Sequence, residues 1–214
     1  MKRIAIIDGN SLINRAYYAM RNPMITKEGV FTQGIFGFLN MLEKIRKDYE
    51  PEYMAIAYDL KAPTFRHKEY DEYKAGRKKM PPELAMQIPL LKDVLSAMNI
   101  KQLEIEGFEA DDIIGTVAKE AEAAGLEPYI ITGDKDELQL ATDVTKIIFT
   151  KKGVSEFDMY DKVSANDSYL TPGKYTSEDG SIGLEWSQLY VSRDNKTAMA
   201  AAELELGLNQ EEWT

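Results

Sequence analysis

The chain has no cysteine and a single histidine, His67, among its 214 residues. The first absence excludes disulfides, thiolate zinc or iron–sulfur sites, and a cysteine nucleophile. The second leaves no partner for a histidine-rich metal site and works against a Ser-His-Asp hydrolase. No apolar run reaches the roughly 18–20 residues that span a bilayer. The apolar stretch 4–7 meets Asp8 too early for a signal peptide. The expectation is therefore a soluble, cytoplasmic protein with no membrane partner. Positive charge is also short: 26 Lys and Arg face 36 Asp and Glu, a net charge of −10 that on its face works against nucleic-acid binding. Apolar residues are not short, at 44%, which is enough for the core of one domain or of one domain with a small appendage.

The apolar residues fall into short continuous runs at 4–7, 53–58, 128–131 and 146–150, with a weaker one at 101–106. Such runs fit strands buried on both faces. Helical spacing covers roughly 33–48, 83–98 and 110–124, the last with Gly125 as its stop. Strands alternating with helices predict an α/β fold with a mainly parallel central sheet.

Three of the predicted strands run into an aspartate: Asp8, Asp59 and Asp134. Ligands of open α/β sheets bind beyond the carboxyl ends of the strands, so these three should converge on one edge. Each alone would serve equally as a turn residue or helix cap. Glu109, Asp111 and Asp112 add three carboxylates at the start of a helix, where one or two would satisfy the macrodipole, and Asp136 follows Asp134 by two residues. Seven acids gathered without interleaved cations repel one another unless a divalent ion neutralises them. All-oxygen ligation selects Mg²⁺ or Mn²⁺ rather than zinc or copper, for one ion or at most two.

The counterweight is 61–79, KAPTFRHKEYDEYKAGRKK, with seven basic and three acidic residues. Phe65, Tyr70 and Tyr73 are interleaved with Arg66, Lys74, Arg77 and Lys78, offering charge for phosphates and ring faces for unpaired bases. A solvated basic loop would look similar. Set directly after Asp59, however, a cationic aromatic segment beside an acidic metal site fits a phosphodiester substrate. Asn10 and Ser11 read as caps of a helix following the first strand.

Four stretches carry a resemblance: IIDGNSLINRAYYA (6–19), AYDLKAPTFRHKEYDEYKAGRKKMP (57–81), EGFEADDIIGTVAKEAEAAG (106–125) and ITGDKDELQL (131–140). Together they resemble the 5′→3′ exonuclease domain of bacterial DNA polymerase I and the wider flap-endonuclease family. The resemblance implies a PIN-like 5′-nuclease core over 1–160, a helical arch at about 61–82 and a divergent region over 161–214. It implies cleavage of DNA at 5′ ends or flaps by a two-metal-type mechanism, in a monomer. It places Asp8, Asp59, Glu109, Asp111, Asp112, Asp134 and Asp136 as metal carboxylates or their immediate supports. Lys74 and Arg77, with Asp134 and Asp136, become catalytic residues, and Arg15 and Tyr17 lie near the substrate entrance.

The last third departs from the family. Leu170-Thr171-Pro172 and Lys196-Thr197-Ala198 resemble flanking pieces, but 173–195 has neither the third acidic pair nor the glycine hairpin that the family carries there. Asp179 and Asp194 lack the expected neighbours. Residues 155–214 hold twelve acids and four bases, a poor surface for DNA. The segment reads as a degenerate helix-turn-helix, an unrelated cap, or a replacement that has lost the ligands of a second ion. The last is favoured, and it predicts slow or Mn²⁺-dependent turnover. A structure-selective DNA-binding protein without catalysis and a PIN-type ribonuclease are the alternatives.

Overall fold

The computed structural model describes residues 1–20, 22–60, 80–153 and 155–169. Phe65, Arg66, Tyr73, Lys74, Arg77 and Lys78, most of the expected arch, and residues 170–214 lie outside the described residues.

Strands β1 (Arg3–Asp8), β2 (Tyr53–Ala57), β3 (Lys101–Leu103), β4 (Glu127–Thr132), β5 (Lys146–Lys152) and β6 (Glu156–Tyr160) form one sheet in the order β3-β2-β1-β4-β5-β6. The first five run parallel, and β6 returns antiparallel along β5. The helices are α1 (Gly9–Ala19), α2 (Gln33–Tyr49), α3 (Pro82–Ala85), α4 (Gln87–Ala97), α5 (Ala110–Ala123) and α6 (Lys162–Tyr169), with a 3₁₀ turn at Lys135–Leu140. The expected α/β architecture with a mainly parallel sheet is what the chain adopts.

Alternation along the strands explains the layering. Ala5 and Ile7 of β1 point to one face and pack with Leu12, Phe38, Met41 and Leu91 of α1, α2 and α4. Ile6 points to the other and packs with Ile113, Ile114 and Val117 of α5 and Leu138 of the 3₁₀ turn. Ala165 of α6 joins that second layer. Central strands buried on both sides in this way have no polar face to expose, hence the continuous apolar runs.

The expected helix at 83–98 is two helices. Pro89 has no N–H to donate back to Ala85, so the chain breaks at Met86 and restarts. The weak strand at 101–106 shortens to Lys101–Leu103. Asn10 and Ser11 do not cap α1. Asp8 does, accepting the Ser11 N–H at 2.9 Å. Gly125 ends α5 as expected, with φ +75°, a conformation that costs a glycine nothing.

Candidate metal centre

The parallel strands β2, β1 and β4 are neighbours, so their carboxyl ends form one edge. Asp8 is the last residue of β1, and Asp59 and Asp134 lie two residues beyond β2 and β4. The N-terminus of α5 faces the same edge: the Ala110 N–H donates to Asp59 Oδ1 at 2.7 Å. Asp112 caps the first turn of that helix by accepting the Glu109 N–H at 3.0 Å, in a capping box with the Glu109 side chain. Both of these carboxylates are buried. Locking that turn leaves Asp111 facing the end of β1.

On the β4 side the turn is built on Thr132. Its hydroxyl accepts the Asp134 N–H at 2.9 Å and donates to Glu137 Oε1 at 3.0 Å. It lies 3.5 Å from Asp8 Oδ2. Ser11 Oγ accepts the Gly133 N–H at 2.9 Å, pinning the same loop to α1. Asp134 caps the 3₁₀ turn through the Asp136 N–H at 3.0 Å.

Asp8, Asp111 and Glu137 each present a carboxylate oxygen, and the three lie within 4.8 Å of one another. Asp59 and Asp134 sit near enough to both aspartates to act on their charge, and Glu109 acts on Asp111. Burial pushes the Asp8 carboxyl up to about 6; Asp59 and Asp134 add to that rise, and the Ser11 N–H opposes it. Burial, then Asp8, Asp134, Asp59 and Glu109, push Asp111 up to about 7. Glu137 rises well above the usual carboxylate range, first by burial and then through Asp8 and Asp111. A site that raises its own carboxyls this way lacks positive charge, and a divalent cation supplies it.

Asp136 is exposed, on the 3₁₀ turn that carries Glu137. Arg15, expected at the substrate entrance, donates to the Thr150 carbonyl of β5 at 2.9 Å. Tyr17 is half-buried against the α1–α2 core, its ring edge-on to Tyr18.

Sequence reasoning missed Glu137, which is 1% exposed. No local sequence signal marks it: the 3₁₀ turn that buries Glu137 and leaves Asp136 exposed is itself a product of the fold. The donor set is oxygen alone, from Asp8, Asp111 and Glu137. These residues fit a hard divalent cation such as Mg²⁺ or Mn²⁺.

Residues 3–169 match the family described as 5′-3′ exonuclease, N-terminal resolvase-like domain. The chain belongs to that family. It is 42% identical over 184 residues to DNA polymerase I of Bacillus subtilis (strain 168), covering 85% of this chain and 21% of the relative. It is 41% identical over 174 residues to DNA polymerase I of Mycobacterium tuberculosis (strain ATCC 25618 / H37Rv), covering 80% and 19%. The chain thus spans about a fifth of the length of the curated relatives it matches. Among solved structures, the fold is similar to bacteriophage T5 5′-exonuclease with bound zinc, at TM-score 0.55 and 20% identity, covering 75% of this chain and 58% of that one. It is also similar to the T5 flap endonuclease in a pseudo-enzyme-product complex with DNA and metal ions, at TM-score 0.57 and 19% identity, covering 78% and 61%. Among the described residues, no helix is long and apolar enough to cross a membrane.

Proposed function

We propose that this chain is a metal-dependent 5′→3′ exonuclease and 5′-flap endonuclease that hydrolyses DNA phosphodiester bonds as a monomer. The observation that carries the reading is the gathering of Asp8 and Asp111, bordered by Asp59 and Asp134, at the carboxyl edge of β2, β1 and β4. Bound there, Mg²⁺ supplies water activation and charge neutralisation of the two-metal type. Asp8 and Asp111 hold the ion, and Asp134 and Asp59 border it. Glu109 and Asp112 cap the first turn of α5 and so orient Asp111 towards the centre. Lys74 and Arg77 steady the scissile phosphate, and Asp136, exposed on its turn, is a further carboxylate for the metal centre. Phe65, Arg66, Tyr73 and Lys78 hold the strand leading to the site, with Arg15 and Tyr17 at its margin. No protein nucleophile is required, in keeping with a chain that has no cysteine.

The test is a 5′-flap duplex incubated with Mg²⁺, Mn²⁺ or a chelator, for the native chain and Asp8→Asn. Cleavage that needs the ion and disappears in the variant supports the reading. Binding of the flap without cleavage assigns the chain instead as a structure-selective DNA-binding protein, and cleavage of RNA alone as a ribonuclease.

A further inference from the structure

Glu137 is the one carboxylate of the cluster that reaches it from the 3₁₀ turn rather than from a strand end or from α5. Its position is tightly determined. Leu138, the next residue, is buried in the α5 layer, and the Thr132 hydroxyl holds Glu137 Oε1 at 3.0 Å. The other oxygen, Oε2, is buried and has no donor once Asp8 is ionised; without a cation, the relief open to it is a proton shared with Asp8. Among the described residues, no lysine or arginine forms an ion pair with Asp8, Asp111 or Glu137. A buried carboxylate oxygen left in that state is costly unless something positive occupies the space it faces.

The Glu137 carboxylate lies beside Asp8 and Asp111, one oxygen of each of the three within 4.8 Å of the others. Octahedral Mg²⁺ holds oxygens at about 2.1 Å, which sets cis ligands roughly 3 Å apart and trans ligands roughly 4.2 Å apart. The three carboxylates lie close enough together for side-chain adjustment to bring one oxygen of each onto a single ion. We propose that Glu137 is a ligand of the divalent cation held by Asp8 and Asp111, making the centre of this chain a three-carboxylate site with one arm on the 3₁₀ turn. The inference rests on the metal-centre reading above and adds a ligand to it. The same turn carries Asp134 at its cap, so ion binding through Glu137 also sets the position of Asp134.

Mn²⁺ binding to the DNA-free protein, followed by calorimetry and by electron paramagnetic resonance, tests this without reference to cleavage. The variants are Glu137→Gln, Asp8→Asn and Asp111→Asn, each checked for its fold by circular dichroism. Glu137→Gln keeps an oxygen for the Thr132 hydroxyl and removes only the charge. It is expected to weaken Mn²⁺ binding at least about tenfold, since even residues that merely support ligands cost about 10–100-fold. Native affinity in Glu137→Gln, with binding lost in the two aspartate variants, overturns the proposal and leaves the metal centre standing. Native affinity in all three overturns the metal centre itself and this proposal with it. Crystals of the native chain grown with Mn²⁺ decide the matter even if a variant fails to fold. An anomalous peak within bonding distance of Glu137 is expected, and a peak bonded to Asp8 and Asp111 alone refutes it.

Discussion

Asp59 Oδ1 accepts the Ala110 N–H at 2.7 Å, so the segment leaving β2 is fastened to the first residue of α5, fifty-one positions later. One carboxylate thereby performs two opposed tasks. It caps a helix, and it adds to the negative field that raises Asp8 and Asp111. Asparagine retains the acceptor without the charge, whereas alanine removes both. Asp59→Ala is expected to be about 1 kcal/mol less stable than Asp59→Asn in chelator, the ordinary worth of a helix N-terminal cap. Urea unfolding of the two variants side by side measures the difference.

The pH dependence of the metal-free protein follows from the raised carboxyls. Asp8 rises from 3.8 to about 6 and Asp111 from 3.8 to about 7. Each binds its proton more tightly folded than unfolded. The stabilisation is complete below about pH 4 and is lost as pH climbs through 6 and 7. Melting temperature in chelator should therefore fall between pH 4.5 and 7.5 (about the span of the two titrations). Saturating Mg²⁺ should reverse that slope, because a bound cation requires the ionised forms. A melting temperature in chelator that rises with pH over this range would contradict the electrostatic account.

Asp134→Asn separates catalysis from folding. The amide oxygen still caps the 3₁₀ turn through the Asp136 N–H, and one charge leaves the neighbourhood of Asp8 and Asp111. Stability in chelator should equal or exceed that of the native chain. Metal-dependent flap cleavage should drop by about 10–100-fold. Calorimetric melting paired with a flap assay reads both.

Gly9 follows Asp8 directly, and a Cβ there would sit 2.3 Å from Cε1 of the Tyr58 ring. Tyr58 is fully buried in the α1–α2 layer, so the ring has nowhere to move. Gly9→Ala is expected to cost about 2 kcal/mol, as for other overpacked cores. In a chain of this size that lowers the melting temperature by roughly 4–8 °C. Mn²⁺ affinity should weaken as well, because the start of α1 must shift and Asp8 with it. Unchanged melting would show that the contact relaxes freely.

The parallel sheet was legible because runs buried on both faces leave no alternation, and because Asp8, Asp59 and Asp134 punctuate three of them. Helix α5 was legible from its spacing and from Gly125. The break at Met86 could have been read from Pro89, which denies a hydrogen bond to the preceding turn. Strand β6 was not legible. Glu156–Tyr160 is half-exposed, its Phe157, Met159 and Tyr160 broken by Asp158 rather than forming a continuous apolar run, and it pairs along the edge that β5 offers.

Composition and local pattern alone determined that this chain folds as an α/β sheet, lacks thiol chemistry and holds a single imidazole, and carries its carboxylates at strand ends and one helix start. Local pattern is enough for that, since periodicity and punctuation are properties of neighbouring residues. Tertiary structure decided which acids meet. Asp111 turns inward while Asp112 is spent on capping, Asp136 faces solvent, and Glu137 is buried beside Asp8. Those assignments depend on the phase of a helical turn and on strands far apart in the chain lying side by side, and the electrostatics of the centre exist only once they do.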